Sequence, residues 1–439
     1  MKEFKLPPDF LMGSATSGFQ IEGGDRNNSW YTWCEQPGRI KDSTSCFRAA
    51  DHWNRYTEDI AIMKELHHDV YRMGVEWSRI EPEQGRFDQT AVDHYRHEIE
   101  LLLRNGIKPL VTLHHFSNPN WLEQAGGWGN PLIVRHFTEY TRYVVNKLGD
   151  IVSDWVTINE PNVYLACGYA QGVWPPGKTD FTLLFKILRS MIEAHISSYH
   201  EIHKIRSERN FKGDTLVGVA FHLFLFEAKN GLLQNKLPTR LYRYLFQDLF
   251  IEGFGFGKMN VPLGFGGHPF GMGKYLDFLG VNYYTRNLVR FTWNPMNLFG
   301  DLLVKENVPV SDVGTEIYPE GIYHVCCSCY NKYKLPIFIT ENGLCDADDT
   351  RRTKFIYDHL QQIARLIGEG IPVKRYYHWS LLDNFELEQG ESARYGLVDN
   401  DFTTQERTIR KSGWFYGEAC WEKAVTQEMI RQYLYESAI

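Results

Sequence analysis

The sequence lacks any apolar run that approaches the roughly 20 residues needed to span a bilayer. The stretch from Met1 to Phe10 is short and mixed, without the apolar segment of a signal peptide. A polybasic run is also missing, and the formal net charge is −7. Because a basic face is needed to neutralise phosphates, we expect no nucleic-acid partner and no membrane surface as partner. The expected location is the cytoplasm.

Cysteines are few and scattered, which argues against a disulfide framework. The chain has 8 cysteines, and a large chain without a signal segment is expected to keep them as free thiols. The densest group is Cys326, Cys327 and Cys329, with His324 nearby, but no second ligand pair follows it. Buried cysteines on a helix are therefore favoured over a zinc site there. We expect neither a metal nor an organic cofactor.

What the chain has is enough apolar material for a large core. Its 439 residues suit one large barrel or two to three ordinary domains. Apolar residues make up 43% and charged residues 23%, as is usual for a globular protein. The aromatic share of 15% is high, and aromatic rings serve both cores and sugar stacking. Composition alone favours the core.

Short apolar runs recur along the whole chain, and several are continuously apolar, as in parallel strands covered on both faces. They lie at residues 10–16, 69–80, 108–116, 154–160, 216–223, 277–284, 336–342 and 373–382. Helical patterns separate them, for example Val92, Tyr95, Ile99 and Leu102 on one face, ended by Asn105-Gly106.

Eight strands with a crossover helix after each predict a (β/α)₈ barrel, the TIM-barrel fold of the α/β class. The sequence has no Pro-, Gly- and Ser-rich stretch that would mark a linker between domains, so residues 1–439 are expected to form a single domain. A doubly wound sheet is the weaker structural alternative. The glycine-rich stretch at 253–273 lacks strict phosphate-loop spacing, and a barrel loop is expected there.

Polar residues follow most of the predicted strands, and in such a barrel chemistry sits at the C-terminal strand ends. The fourth run ends in Asn159-Glu160, and the seventh contains Thr340-Glu341. Glycoside hydrolysis needs a pair of carboxyl groups, one to protonate the leaving oxygen and one to attack the anomeric carbon or activate water. The fourth and seventh strands lie nearly across a barrel, so these two side chains can converge on one sugar.

The chain resembles glycoside hydrolase family 1, the β-glucosidase family, from about residue 10 to residue 418. The N-terminal motifs are Phe-Leu-Met-Gly-Ser-Ala-Thr-Ser-Gly-Phe-Gln-Ile-Glu-Gly-Gly at 10–24, Tyr-Arg-Met-Gly-Val-Glu-Trp-Ser-Arg-Ile at 71–80 and Thr-Leu-His-His-Phe at 112–116. The others are Thr-Ile-Asn-Glu-Pro-Asn at 157–162, Val-Asn-Tyr-Tyr-Thr at 281–285, Ile-Thr-Glu-Asn-Gly at 339–343 and Trp-Ser-Leu-Leu-Asp-Asn-Phe-Glu at 379–386. An isolated Asn-Glu-Pro motif is weak evidence for the family, but the whole set of motifs in this order is specific to it.

The resemblance implies a retaining β-glycosidase that acts on β-glycosides or oligosaccharides through a covalent glycosyl-enzyme intermediate. It implies that Glu160 is the acid/base and Glu341 the nucleophile. Arg72 and Tyr284 should flank Glu341, where a cation and a hydroxyl donor favour the ionised carboxylate at neutral pH.

The resemblance also implies a set of sugar-binding residues. These are Gln20, His115, Asn159, Asn282, Trp379 and Glu386. Asn159 should hold the sugar 2-hydroxyl, Trp379 should form the floor under the ring, and Gln20, His115 and Glu386 should bind the far hydroxyls. His114 and Tyr283 should face away, because neighbouring strand residues point in opposite directions.

One position departs from the family pattern. Leu387 follows Glu386 where the family usually has Trp, whose indole N–H contacts a glycone hydroxyl. The resemblance implies glucose as the sugar. Because Leu387 lacks the indole donor, galactose and fucose are further candidates. Two other functions stay open: a 6-phospho-β-glycosidase, and a sugar-binding relative that has lost catalysis. Carboxylates at 386, 388 and 391 oppose the first, since they would repel a phosphate.

Overall fold

A computed structural model describes residues 1–435, and within them eight parallel strands form a closed barrel. The barrel strands are Leu11–Ala15, Val70–Gly74, Lys108–His114, Asp154–Asn159, Leu216–His222, Phe278–Asn282, Ile337–Asn342 and Val373–Trp379. Each pairs with the next in chain order, and the eighth closes the ring by pairing Arg375 with Leu11 and Trp379 with Ala15. The predicted (β/α)₈ fold is confirmed.

Helices connect successive strands over the outside of the barrel, as the sequence periodicity predicts. After the eight strands in turn come His52–Glu65, Gln89–Arg104, Ile133–Leu148, Phe181–Glu208, the pair Leu233–Arg243 and Leu249–Phe256, Glu320–Tyr333, Arg352–Gly368 and Lys411–Glu422. Shorter helices include Gly18–Ile21, Ser29–Cys34, Trp77–Ile80, Asn120–Gln124 and Pro161–Leu165. Within residues 1–435 we find no helix with both the length and the apolar character needed to cross a membrane.

The barrel interior is filled by its own apolar layer, separate from the larger layer between strands and helices. Its members are Ala15, Val70, Leu110, Val156, Ala220, Phe278, Phe338, Tyr377 and Trp379. Phe278 and Phe338 stack with ring centroids 4.1 Å apart. Below them, Arg375 pairs with Asp154 at 2.5 Å. This layer closes the barrel from below, so polar side chains gather above it at the strand ends.

Two sequence predictions about local structure were wrong in part. The second apolar run continues to Ile80, but its strand ends at Gly74, and Trp77–Ile80 is a short helix. Trp77 packs there against Tyr140, with ring centroids 4.9 Å apart. The glycine-rich stretch 253–273 was expected to be a loop; residues 257–273 are loop and turn, but Gly253 and Gly255 lie inside the helix Leu249–Phe256. That helix packs against buried side chains, which outweighs the low helix propensity of glycine.

Smaller sheets lie outside the barrel, and they were not predicted from the sequence. Leu225–Ala228, Arg286–Phe291 and Gly300–Leu303 form a three-stranded sheet beyond the fifth and sixth barrel strands. Phe4–Lys5 pairs with Ala424–Val425, and Val398–Asn400 pairs with Arg407–Ile409. The cysteine cluster lies on the helix Glu320–Tyr333, with Cys326 and Cys329 buried.

A buried ionic network ties the first two outer helices to the C-terminal region. His52 contacts Asp59 at 2.7 Å and Glu98 at 3.0 Å, and Arg407 contacts Asp59 at 3.0 Å. Burial by itself lowers the pKa of His52, but the carboxylates of Glu98 and Asp59 outweigh it and raise the pKa to about 10. The imidazolium is therefore the folded-state form over the neutral range.

The variant His52→Leu is expected to lower the free energy of unfolding by about 3–5 kcal/mol at pH 6, because Glu98 loses its buried partner. A pKa that is raised on folding gives stability that is present below the unfolded pKa and is lost as pH rises toward 10. Urea titrations should therefore show the difference from the parent shrinking between pH 6 and pH 10. The control is His97→Leu, which changes an exposed histidine beside Glu98. A difference that stays constant with pH would contradict the assignment.

Candidate active site

Arg72 is the centre of the polar network at the mouth of the barrel. Its side chain is fully buried, and its Nη1 donates to Glu341 Oε1 at 2.5 Å. Its Nη2 donates to Asn159 Oδ1 at 2.6 Å, and its Nε donates to Thr112 Oγ1 at 3.2 Å. One guanidinium on the second strand thus joins the ends of the fourth and seventh strands.

Glu341 lies near the end of the seventh strand, where Glu341 and Asn342 point to opposite sides. Asn342 bonds outward to the Tyr283 carbonyl and the Tyr376 hydroxyl. Glu341 points inward, and its Oε2 accepts from the Tyr284 hydroxyl at 2.7 Å. The next residue, Gly343, has no room for a side chain, because a Cβ there would lie 1.8 Å from the Trp379 carbonyl oxygen. The strand end therefore packs directly against the eighth strand.

The ionisation of Glu341 is subject to opposing effects from burial and from its two partners. Burial raises its pKa to about 7, and the nearby Glu160 carboxylate adds to the rise. Arg72 and the Tyr284 hydroxyl lower the pKa, as expected, but do not fully offset the burial. Arg72 and Tyr284 therefore favour the carboxylate form of Glu341, while burial and the Glu160 charge oppose it.

Glu160 occupies a sharp turn between the fourth strand and the helix Pro161–Leu165. Its φ is 40°, in the left-handed region, and its backbone N–H donates to the Ala220 carbonyl at 2.7 Å. Pro161 begins the helix, a position that proline favours because its fixed φ suits the first turn. A left-handed conformation costs energy in a non-glycine residue and is retained where surrounding contacts enforce it. The Asn-Glu-Pro motif is thus a strand-to-helix turn.

Asn159 and Asn282 are held by protein contacts on most of their polar atoms. Asn282 Nδ2 donates to Glu160 Oε1 at 2.8 Å and to Asn159 Oδ1 at 3.1 Å, and its Oδ1 accepts from Thr340. Asn159 Nδ2 contacts His115 Nε2 at 2.9 Å. Asn282 is predicted from the sequence to bind sugar, and its contacts also position Glu160 and Asn159. Asn159 keeps one amide hydrogen for a ligand.

The two adjacent histidines separate as the strand geometry predicts. His115 contacts Asn159 and lies beside the Trp379 ring, with centroids 5.8 Å apart. Its Nδ1 is buried without a protein partner. Burial, followed by the Arg72 charge, lowers the pKa of His115, so its imidazole is neutral. His114 turns away and contacts Asn118 at 2.9 Å.

A second group of side chains lies on the eighth-strand side of the mouth. Trp379 Nε1 donates to Glu386 Oε1 at 2.8 Å, and burial raises the pKa of Glu386 to about 8. Gln20 Nε2 donates to Asn384 Oδ1 and to the Phe385 carbonyl at 2.9 Å. The Gln20 Oε1 atom is buried without a protein partner. Gln20 Oε1 and His115 Nδ1 are thus acceptor and donor sites for hydroxyl groups.

The loop after the eighth strand is fixed by Asp383, which accepts from the Gly396 N–H at 2.8 Å and pairs with Arg410 at 2.5 Å. Leu387 has a φ of 55° and is half-buried. Glu388 accepts a hydrogen bond from Trp174 Nε1 at 2.6 Å. Asp383 thus holds the loop that carries Glu386.

The sequence reading missed His222. It ends the fifth strand, and its Nδ1 lies 2.9 Å from Glu160 Oε1. The sequence does carry a signal for it: His222 is a polar residue near the end of the fifth apolar run, 216–223, where strand-end chemistry is expected. Among residues 1–435 we find no group of three or more His, Cys, Asp or Glu side chains that could hold a metal ion.

Comparison with known proteins agrees with this geometry. The sequence model of Glycosyl hydrolase family 1 matches residues 2–231 and 271–424. Beta-glucosidase A of Thermotoga maritima is 34% identical over 94% of this chain and 97% of its own length. A beta-galactosidase of Pyrococcus woesei is 30% identical, covering 98% of this chain and 99% of its own. The structure of a beta-glycosidase from Pyrococcus horikoshii has a TM-score of 0.90 at 34% identity and covers 98% of both chains.

Proposed function

The chain belongs to glycosyl hydrolase family 1, and from that premise we propose a retaining β-glucosidase-like enzyme that removes terminal non-reducing β-D-glycosyl residues, with named roles for its site residues. The observation that carries the proposal is the single network in which Arg72 joins Glu341 to Asn159 and Asn282 joins Asn159 to Glu160. Two carboxyl groups from opposite sides of the barrel are thereby joined in one hydrogen-bond network.

Glu341 is assigned as the nucleophile. A carboxylate attacks well when it is ionised and oriented, and Arg72 and Tyr284 each bind one of its two oxygens. The resulting glycosyl ester leaves Arg72 and Tyr284 free to stabilise the carboxylate when it departs in the second step. Asn159, with its remaining amide hydrogen, binds the sugar 2-hydroxyl, where hydrogen bonds strengthen in the transition state.

Glu160 is assigned as the acid/base. In the first step its proton passes to the glycosidic oxygen, and in the second step the carboxylate takes a proton from the attacking water. Retention requires carboxyl groups about 5–5.5 Å apart, whereas inversion requires about 6.5–9.5 Å. The stereochemical course tests this choice: proton NMR should show the β-anomer of glucose forming first. Initial formation of the α-anomer would overturn the double displacement.

The glycone site is assigned to the eighth-strand side of the mouth. Gln20 Oε1 accepts from a sugar hydroxyl, His115 Nδ1–H donates to one, and the Glu386 carboxyl binds the far hydroxyls. The Trp379 ring lies under the sugar face, where its apolar surface packs against C–H groups. Each of these atoms is buried, so an unpaired hydroxyl partner costs more here than at an exposed surface.

Leu387→Trp is expected to raise selectivity for one sugar among glucose, galactose and fucose. An indole N–H next to Glu386 can pair with a glycone hydroxyl, which is worth about 1–3 kcal/mol of discrimination. Ratios of kcat/KM on nitrophenyl β-glucoside, β-galactoside and β-fucoside measure it. Leu387→Phe is the matched control, because it adds a ring without a donor. If the ratios stay identical in the Trp variant, position 387 does not set the preference.

A panel of aryl β-glycosides tests the assignment against its two rivals. Rapid turnover of unphosphorylated glucoside supports the glucosidase reading, whereas preference for the 6-phosphoglucoside would support the phosphoglycosidase. Binding without turnover would support a silent sugar-binding relative. Carboxyl groups at Glu386, Glu388 and Glu391 oppose a phosphate in this loop.

The whole chain, residues 1–439, is proposed to be a single catalytic domain. In support, the strand Phe4–Lys5 pairs with Ala424–Val425, so segments near both ends of the described chain are paired with each other. We further propose a cytoplasmic location. Its support is that all eight cysteines are free thiols, the form expected in a reducing compartment.

A further inference from the structure

Both protein hydrogen bonds of the Glu160 carboxyl go to the same oxygen. Oε1 accepts from Asn282 Nδ2 at 2.8 Å and lies 2.9 Å from His222 Nδ1. A protonated carboxyl has one hydroxyl oxygen and one acceptor oxygen. With Oε1 occupied by two partners as the acceptor, the proton resides on Oε2. That is the oxygen available to a substrate.

The histidine is held in a defined orientation by aromatic rings. His222 is stacked on Tyr284, with centroids 5.4 Å apart and planes 15° apart, and lies 4.3 Å from the Phe224 ring. Its Nε2 is buried without a partner. An N–H at Nε2 would be an unsatisfied buried donor, so the neutral ring is better satisfied with its hydrogen on Nδ1. That hydrogen points to Glu160 Oε1.

We propose that His222 is a positioning residue that donates Nδ1–H to Glu160 Oε1, so that the proton on Oε2 faces the glycosidic oxygen and the carboxylate of the second step is stabilised. The inference rests on the proposed function, because it acts through the acid/base role of Glu160. His222 itself does not touch the reacting atoms. It supports proton delivery in the first step and proton removal from water in the second.

The titratable groups around this contact come from several elements. Tyr284 faces Glu160 from the segment just after the sixth strand, Glu341 from the seventh strand, and Cys167 from the segment after the fourth strand. The charge of Glu388 also raises the pKa of Cys167, and the charge of Glu386 raises the pKa of Tyr284. Arg72 belongs to the same network through its contact with Glu341. A donor at Oε1 favours the ionised form of Glu160 against these negative neighbours.

Two variants separate the donor from the ring. His222→Phe keeps a ring against Tyr284 and removes the donor, whereas His222→Asn removes the ring and keeps an N–H donor. With a poor leaving group, an alkyl β-glucoside, kcat/KM should fall roughly 10- to 100-fold in the Phe variant, as loss of a hydrogen bond to an ionised group implies. With dinitrophenyl β-glucoside, which needs no protonation to leave, it should change little. The Asn variant should recover most of the loss.

The pH profile gives a readout that a packing role would not move. Loss of the donor disfavours the ionised form of Glu160, so the upper limb of kcat/KM should shift to higher pH in His222→Phe and return in His222→Asn. Phe246→Leu is the control, because Phe246 packs near His222 without a hydrogen bond to Glu160.

Two results would overturn the inference: equal losses on both substrates in the Phe and Asn variants, or an unchanged leaving-group dependence in the Phe variant. The variant Glu160→Ala, measured alongside, tests the acid/base assignment on which this inference rests. If that variant keeps full activity on the alkyl glucoside, the acid/base assignment itself is wrong, and the role of His222 falls with it.

Discussion

Replacement of Glu341 by alanine is expected to reduce kcat/KM on aryl β-glucosides by about 10⁴-fold or more, because removing a nucleophile abolishes the covalent route. The loss should be of kcat rather than of binding, since the glycone contacts from Gln20, His115 and Glu386 remain. A stopped assay with nitrophenyl β-glucoside measures it. Retention of more than a few per cent of activity would contradict the nucleophile assignment.

The same variant leaves a buried cation without its partner, so stability must be separated from chemistry. Arg72 is fully buried and loses its 2.5 Å contact, and breaking such a pair costs about 3–5 kcal/mol. Azide can enter the vacated space, restore a negative charge beside Arg72 and attack the anomeric carbon directly. The expected product is the α-glycosyl azide, because a single displacement inverts the β configuration.

A matched control is Glu81→Ala, which removes another buried glutamate, one that accepts from Trp77 Nε1 at 2.7 Å. It should retain turnover and form no azide product. If Glu341→Ala is folded by circular dichroism yet yields no α-azide at high azide concentration, the loss of activity does not come from a missing nucleophile. Recovery of the α-azide requires an intact site that lacks only its own attacking group.

Glu160→Ala should produce a different pattern, which depends on the leaving group. On an alkyl β-glucoside, kcat/KM should fall about 10²- to 10⁴-fold, the usual contribution of a general acid. On dinitrophenyl β-glucoside the first step needs no acid and should persist. The second step loses its base, so the glycosyl-enzyme intermediate accumulates, and both kcat and KM should fall.

Azide again distinguishes the two carboxylates. In Glu160→Ala it should attack the intermediate on Glu341 and give the β-glycosyl azide, since two inversions restore the configuration. The α-azide from this variant would exchange the two assignments. Equal losses on good and poor leaving groups would show that Glu160 is not the acid. Glu160→Gln is the conservative companion, because it keeps the contact with Asn282 and removes only the transferable proton.

The sequence was sufficient to predict the barrel and the positions of its chemistry, because both depend on short-range patterns. Apolar runs of strand length, separated by helical periodicity, determined the eight strands and their crossover helices. The rule that strand ends carry function then selected Glu160 and Glu341. The errors at Trp77–Ile80 and at Gly253 arose where packing against distant residues outweighed local preference.

Only the tertiary structure decided which side chains act on one another. His222 and Glu160 lie 62 residues apart in sequence, and Arg72 and Glu341 lie 269 apart, yet each pair is in contact. Asn282 likewise contacts Glu160, 122 residues away in the sequence. The pKa of Glu341, about 7, also depends on burial that no motif encodes. Residue type and spacing are local properties of the chain, whereas distance, burial and the field of neighbouring charges exist only once the barrel has closed.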